Sequence, residues 1–449
     1  MQLQNVHVPT SAIVTFVLDV IAIACVVSLF VYNDLLVLSY DNSPIISPVM
    51  LAIVVSAVFA AFTMGLYQRE FWVRNKLPQR LIVAFAISVI VASVVSRIGL
   101  SSDKFWIKIF LINCVVFCFM LLNRLVCGFI SQQLKTSVFY LGPDSGLATL
   151  RKIERSLKPS TFEIAGTYPF SNQEDDAHLN SIFSALKRTG SNEIVVGGSE
   201  EMLNRFALRF LGSASINATI LPLSAFIEQE TRKLDINDPE AARQLTFYSE
   251  RRTRLSMFLK RVIDIVFALA LLAFTLPLTA LVCILILVME GRPIFYHQDR
   301  VGLGGKVFTL FKFRSMSINA EADGVARWAS KGDGRVTPIG RFLRISRIDE
   351  IPQLFNVVRG DMTLVGPRPE RPSIVAMLEN KIPLYAARHS ATPGVTGWAQ
   401  INYPYGASVE DAAAKTCYDL YYIKNSSLLL DIAIILQTVR VILLGEGSR

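Results

Sequence analysis

Four apolar runs fill the first third of the chain, at residues 11–32, 48–67, 81–100 and 105–130. Each holds about 20 residues or more, which is what crossing a hydrocarbon core of ~30 Å requires. This feature limits the fold most, because such runs must cross a bilayer or be buried in a large core. Composition agrees with the first alternative. Hydrophobic residues make up 52% of the chain and charged residues 18%, against about a quarter charged in an ordinary soluble protein. The stretch "QREFWVRNKLPQR" carries Arg69, Arg74, Lys76 and Arg80, while the other two connections between the runs hold almost no Lys or Arg. The positive-inside rule then places this loop in the cytoplasm, together with the N-terminus and everything after Ile130. The N-terminal region has no Lys or Arg before a long apolar run, so no cleavable signal peptide is expected.

Beyond the fourth run the pattern changes. "SVFYLG", "FEIAGTY", "NEIVVGG" and "INATILPL" read as short buried strands, separated by amphipathic stretches near 145–158, 176–189 and 199–211. That alternation predicts a small parallel α/β domain. Its first turn, "YLGPDSG", lacks the G-x-G-x-x-G phosphate fingerprint, so the domain reads as a Rossmann-like structural or regulatory module. A polar connection follows over 228–256.

Residues 262–289 are apolar again and long enough to cross a membrane. Pro277 lies in mid-segment, however, where it removes a backbone donor and clashes with the preceding turn. Basic residues flank the segment on both sides: Arg251, Arg252, Arg254, Lys260 and Arg261 before it, Arg292, Arg300, Lys306 and Lys312 after it. A crossing segment should have one basic side. The expectation is a helix-break-helix that enters and leaves on the cytoplasmic face. "RVGLGGKVFTLFKF" then reads as a glycine-turned hairpin, 317–336 as an exposed loop, and "SLLLDIAIILQTVRVILL" as a helix lying at the membrane surface or against the core.

The net charge of +9 admits nucleic acid, anionic lipid or an anionic substrate as partner. No recognition-helix or zinc-finger pattern supports nucleic acid. The six cysteines lack metal-ligand spacing, and the four histidines lie far apart. There is no G-x-S-x-G elbow, Walker lysine loop or Tyr-x-x-x-Lys pair. Carboxylates remain as candidate nucleophiles or metal ligands. Asp349 and Glu350 form the best pair, inside "RISRIDEIPQLFNVVRGDMTLVGPRPE". Arg341, Arg344 and Arg347 precede them at helical spacing, Arg359 and Arg368 follow, and Lys312 and Arg314 stand ahead in "FKFRSM". Magnesium takes one or two carboxylates plus phosphate oxygens, and arginine forks match phosphate in two-point contacts. The pattern therefore suits a diphosphate held by cations and attacked by a carboxylate.

These motifs resemble the polyprenyl-phosphate glycosyl-1-phosphate transferases, the large monotopic phosphoglycosyl transferases that begin exopolysaccharide, capsule and O-antigen synthesis. The resemblance rests on the Pro-broken segment, "FYHQDRVGLGGKVFTLFKFRSM", the Asp-Glu window, "TPGVTGWAQIN" and "YDLYYIKNSSLLLDIAII", over residues 255–444. It implies an enzyme that moves a hexose-1-phosphate from a UDP-sugar, with UDP-glucose the expected donor, to undecaprenyl phosphate, releasing UMP. It further implies Asp349 as nucleophile, Glu350 as its partner on a Mg2+ ion that Asp349 shares, and Arg344 and Arg368 as phosphate or nucleotide contacts. Lys312 and Arg314 belong to a shared basic motif, and Pro277 marks the break of a re-entrant helix. Leu276 stands where many members have Ser or Thr.

The expected protein is thus a multi-pass component of the bacterial inner membrane with its catalytic domain facing the cytoplasm. Its fold class is mixed: a four-helix transmembrane bundle (1–133), a Rossmann-like α/β domain (134–250), and an α+β catalytic domain on a re-entrant helix (251–449). Its partners are the UDP-sugar, the lipid acceptor and membrane lipids, with no nucleic acid and with room for a homo-oligomer. Two other readings compete: a membrane-anchored nucleotide-sugar dehydratase or epimerase, and a non-catalytic polysaccharide-export component.

Overall fold

In the computed structural model, the described residues are 10–32, 48–67, 77–97, 105–133, 135–157, 160–169, most of 182–198, 218–238, 253–318, 333–404 and 406–444, with a few isolated positions besides. They form two compact units, His7–Thr231 and Arg232–Arg449.

The first unit opens with four helices, α1 (Thr10–Tyr32), α2 (Pro48–Thr63), α3 (Leu77–Arg97) and α4 (Phe105–Gln133). α1 lies on α4 and α2 on α3, around buried Ile23, Ile53, Ala57, Ala84, Ile112 and Val116. Small residues on α2 let the helices approach closely, the usual way apolar helices associate without a water-driven force. Polar groups turn inward and pair with each other. Asp19 and Arg124 pair at 2.6 Å with both side chains at most 1% exposed, and Asn123 also donates to Asp19. Ser88 donates to Asn113 at 2.7 Å and meets Ser56 at 3.1 Å. The connection carrying Arg69, Arg74 and Lys76 lies outside the described residues.

The four segments read as strands are β1 (Thr136–Leu141), β2 (Phe162–Tyr168), β3 (Glu193–Val196) and β4 (Thr219–Pro222). They pair in parallel in the order β2-β1-β3-β4. Side chains bury on both faces: Phe139, Leu141, Ile194 and Val196 on one, Val138, Tyr140 and Val195 on the other. That two-sided burial is why the strands read as continuous apolar runs. α5 (Asp144–Ser156) and α6 (Leu223–Thr231) are the described helices; the stretches at 176–189 and 199–211 lie largely outside the described residues. The first turn closes on Tyr140. Its hydroxyl donates to Pro143 O at 2.9 Å, and a Cβ at Gly146 or Gly197 would come within 2.0 or 2.2 Å of it.

The second unit is built on α7, Arg254–Glu290. Its 37 residues form one helix with Pro277 inside, so the expected interruption is not a break in helical structure. Proline removes one donor, but the turns on either side keep their bonds, and the Thr275 hydroxyl donates to Leu271 O at 2.7 Å. Only 11% of its apolar window is buried. Phe274, Leu276 and Val288 project outward, a surface for lipid or a partner rather than for water. Among the described residues three helices are long and apolar enough to cross a membrane: Leu77–Val94, Ile109–Ile130 and Arg254–Glu290.

Polar clasps join both ends of α7 to the rest of the unit. Lys260 pairs with Asp431 at 2.5 Å; Arg261 donates to Val357 O and Val358 O at 2.6 and 2.9 Å; buried Asp264 accepts from Thr363 and from Leu364 N. Near the other end, Val282 and Ile286 pack on Phe313 and Leu343. The glycine-turned hairpin forms as expected, β5 (Phe295–Val301) antiparallel to β6 (Val307–Phe313), with Tyr296 opposite Lys312. α8 (Pro338–Ile345), α9 (Gln353–Arg359), β7 (Thr363–Val365), α10 (Pro372–Glu379), β8 (Gly394–Thr396), α11 (Trp398–Asn402), α12 (Val409–Asn425) and α13 (Leu428–Leu443) complete it. β7 and β8 pair in parallel. α13 buries Leu430 and Ile434 and exposes Leu429, Ile432 and Leu443, the two-sided apolar character its sequence suggested. Most of 317–336 lies outside the described residues.

Candidate active site

The Asp-Glu pair is placed by a short sequence of local decisions. Thr337 caps α8 by accepting from Gly340 N at 3.0 Å, and Pro338 fits the first turn, where no donor is needed. A Cβ at Gly340 would lie 2.1 Å from Ser315 O, so glycine alone lets α8 sit against the strand end. α8 stops at Ile345 and Arg347 takes the left-handed conformation, φ 58°. Left-handed backbone is rare for a side chain without a local hydrogen-bonding group and costs about 1–3 kcal/mol. It turns the chain into a single 3-10 turn, Ile348–Glu350, which carries both carboxylates inward. Asp349 is 6% and Glu350 9% exposed. Behind them Asn356 bolts α9 to β6, accepting from Phe311 N at 3.1 Å and donating to Thr309 O at 2.8 Å. A Cβ on Gly394 would meet Gly366 N at 2.0 Å. That close approach explains the glycines of "VGPRP" and "TPGVTG" and delivers Arg368 to the site.

The two carboxylates live differently. Glu350 Oε1 accepts from Arg368 Nη2 at 2.6 Å and Lys312 Nζ at 3.1 Å, and Arg347 Nη1 stands 3.6 Å away. Burial alone would raise its pKa, but these cations outweigh it and hold Glu350 well below the usual carboxylate range. Asp349 Oδ1 is buried with no hydrogen-bond partner. Burial pushes Asp349 upward, against the pull of Lys312, and the negative charge of Glu350 adds to the rise. One carboxylate is saturated with cations, and its neighbour keeps one buried oxygen without a hydrogen bond.

Both line a cavity of about 640 Å³, within the range of small-molecule sites. Eleven basic and five acidic side chains line it, an excess suited to an anionic ligand with several charges. Lys312, Arg344 and Arg368 are brought together there as the sequence suggested, with Arg341 and Arg347 beside them. Arg344 Nε donates to Ser315 Oγ at 3.0 Å. Arg314 also lines the cavity, but its Nη2 donates to Glu290 O and Gly291 O at 2.8 and 2.9 Å, and its Nε stands 3.5 Å from the Glu290 carboxylate; it clamps the end of α7. Arg359 points away and pairs with Asp361 at 3.4 Å. Pro277 lies in α7, outside the cavity lining.

Several lining residues escaped the sequence reading. Arg300 reaches Glu370 at 3.2 Å. Arg388 donates to Asp419 at 2.8 Å, to the Tyr385 hydroxyl at 2.6 Å and to Arg368 O at 3.1 Å. Burial pushes Tyr385 up to about 12, and Asp419 holds Arg388 firmly protonated although burial opposes it. A signal existed: Asp419 is a lone carboxylate in the aromatic helix "YDLYYI", and a buried carboxylate needs a cation. No spacing rule pointed to Arg388. Among the described residues no group of three or more His, Cys, Asp or Glu could hold a metal by itself.

The family profile "Bacterial sugar transferase" matches residues 255–445. The UDP-N-acetylgalactosamine-undecaprenyl-phosphate N-acetylgalactosaminephosphotransferase of Aeromonas hydrophila is 45% identical over 192 residues, 43% of this chain and 45% of the relative. The UDP-glucose:undecaprenyl-phosphate glucose-1-phosphate transferases of Caulobacter vibrioides and Escherichia coli K12 are 43% and 37% identical, over 71% and 42% of their own lengths. The chain thus spans less than half of two of these relatives and over two thirds of the third. The Asp349–Glu350 turn, the cations around Glu350 and the clamped end of α7 all fall inside the matched segment, and the chain belongs to the bacterial sugar transferase family.

Proposed function

We propose that this protein transfers a hexose-1-phosphate from a UDP-sugar to undecaprenyl phosphate through a phosphosugar covalently held on Asp349. The observation that carries the reading is the bare, buried Asp349 oxygen beside a cation-saturated Glu350 in a strongly basic cavity. An unpartnered oxygen can approach phosphorus without first giving up a hydrogen bond. In the first step Asp349 attacks the sugar-linked phosphorus and the bond to the bridging oxygen breaks. UMP leaves with that electron pair, and an acyl phosphate remains. In the second step a phosphate oxygen of the lipid attacks the same phosphorus, releasing the carboxylate and forming a lipid diphosphate-sugar. Lys312, Arg344, Arg347 and Arg368 line the cavity where charge develops on the phosphoryl oxygens.

The residues suit magnesium. The closest contacts of Lys312, Arg347 and Arg368 with Glu350 all fall on Oε1, and Asp349 stands beside it on the same turn. One or two carboxylates completed by substrate phosphates is the ion's usual arrangement. Glu350 and Asp349 would hold it, and it would neutralise charge on the diphosphate.

The same reading covers the membrane. The helices of the first unit cross it with the basic 69–80 connection on the cytoplasmic side, and α7, helical throughout, bends at Pro277 so that both its ends lie on one face. Clasps at both ends of α7 support this: Lys260, Arg261 and Asp264 at one, Glu290 at the other, all to a single folding unit. The reaction would be the first membrane step of an exopolysaccharide, capsule or O-antigen at the bacterial inner membrane. The relatives' names mention both glucose and N-acetylgalactosamine, so both UDP-sugars are first donors to test. The test is UMP release with magnesium and undecaprenyl phosphate. A second arm without lipid acceptor seeks a phosphohexose adduct on the Asp349 peptide by mass spectrometry. An adduct on another residue, or turnover by Asp349→Asn near the wild-type rate, refutes the mechanism.

A further inference from the structure

The cavity lining extends beyond the charges around Asp349 to residues of different chemistry. Near Asp349 the walls are guanidinium groups and Lys312. The other end is formed by α11 and the start of α12, where Ala399, Gly406 and Ala412 leave room and Gln400, Tyr403 and Lys415 supply polar atoms. Arg368 stands between the two regions: it bonds Glu350, and its charge acts on Lys415, as do those of Glu370, Arg388 and Asp411.

The polar groups of this recess are fixed in place. Lys415 Nζ donates to Gly406 O at 2.9 Å. Tyr403 donates to Asp411 Oδ1 at 2.9 Å, and Asp411 closes the capping box with Ser408 that starts α12. Gln400 Nε2 donates to Val395 O at 3.3 Å, which turns the amide and leaves its carbonyl as an acceptor. A half-buried aromatic, a carboxamide acceptor and an ammonium donor among small side chains suit a neutral polyhydroxyl ring: its C–H face lies on the tyrosine and its hydroxyls meet the polar atoms.

We propose that this recess, walled by Gln400, Tyr403 and Lys415, binds the sugar ring of the donor and sets which hexose is transferred. The assignment rests on the two-step transfer proposed above. Between its steps the sugar must stay while UMP leaves and a lipid phosphate arrives. The two departing or arriving phosphates call for the arginine-rich end, which adjoins α8 with its exposed Phe342 and Ile345. The retained sugar is left for the part of the lining formed by α11 and the start of α12, where small side chains leave room.

The experiment compares full-length wild type with Gln400→Ala, Tyr403→Phe and Lys415→Met. It measures kcat/KM for UDP-glucose, UDP-galactose, UDP-N-acetylglucosamine and UDP-N-acetylgalactosamine, and the inhibition constant of UMP. Losing a hydrogen bond to one hydroxyl should change the preference among donors by roughly tenfold or more, while UMP inhibition stays within about twofold. Tyr403→Phe removes a single oxygen and guards against loss of fold. If UMP inhibition weakens in step with donor kcat/KM, the recess holds the nucleoside and the proposal is wrong. Unchanged donor ratios in all three variants also overturn it, with the transferase reading intact. Wild type that releases UMP from none of the donors fails the transferase reading itself.

Discussion

Replacing the proposed nucleophile should make the protein more stable. Asp349 is 6% exposed and its Oδ1 has no hydrogen-bond partner, and a buried unsatisfied polar group costs about 1–3 kcal/mol. Lys312 offsets part of this for the ionised form, so the net gain from Asp349→Asn is set near the lower limit, about 1 kcal/mol. In a folding unit of this size that raises the unfolding midpoint by about 2–4 °C. The pH dependence has a definite sign. The pKa of Asp349 is raised in the folded state, so its protonated form favours folding and that contribution is lost as pH rises through the folded pKa. The neutral amide of the variant behaves like the protonated acid at every pH. The advantage of the variant should therefore be full at pH 7–8 and shrink as pH falls through the raised pKa. The assay is thermal unfolding of the full-length protein in detergent with EDTA, so that no divalent ion neutralises the carboxylate, beside UMP release with magnesium restored. Stability should rise while turnover falls to background. A variant less stable than wild type at pH 7.5, or an advantage that does not narrow in acid, would show that the folded protein satisfies the carboxylate and would refute the argument.

Other tests probe the frame. His389 is held down to about 4 by burial and by Arg388; a depressed histidine favours folding above its unfolded pKa, so stability should fall as pH drops from 6.5 toward 4, and His389→Gln should flatten that loss in urea titrations. Arg314→Met should cost about 2–4 kcal/mol by stripping Glu290 and the carbonyls at the end of α7 of their buried partner, read as earlier unfolding. Single cysteines near Arg254 and near Arg292, in a background without the native six, should label from the same side of the membrane; labelling from opposite sides sinks the re-entrant arrangement. A chain beginning near Arg251 should still release UMP, because the matched segment starts at 255; a folded, inserted chain with no turnover would count against this.

The parts legible in the sequence were those with a period or a composition. Buried parallel strands announced themselves as apolar runs, and the hairpin by its glycines. The Asp-Glu pair stood out because arginines crowded around it. What the sequence could not divide was labour within that crowd. Arg368 and Arg314 look alike in the chain, yet one holds Glu350 and the other caps a helix. Their roles depend on Gly366 and Gly394 touching and on α7 ending beside β6, contacts between segments far apart in sequence. The asymmetry of Asp349 and Glu350 was equally hidden, because a left-handed arginine one turn earlier decides which carboxylate meets the cations. Pro277 was overread: proline is a strong local signal, but helical structure persists across it when the turns on either side keep their bonds.

The clasps on α7 bear on how the protein can be handled. Lys260, Arg261 and Asp264 reach Val365 O, Val357 O, Val358 O, Thr363 and Leu364 N, and Val282 and Ile286 cover Phe313 and Leu343. Cutting the helix away to obtain a water-soluble protein would strip these contacts from α9, β7 and Arg314 and uncover an apolar seam beside the Asp349–Glu350 turn. Crystallisation, inhibitor screening and engineering of the protein must therefore keep detergent or lipid around a helix that doubles as interior. Solubility has to come from redesigning the outward residues, such as Phe274, Leu276 and Val288, while the inward ones are left alone.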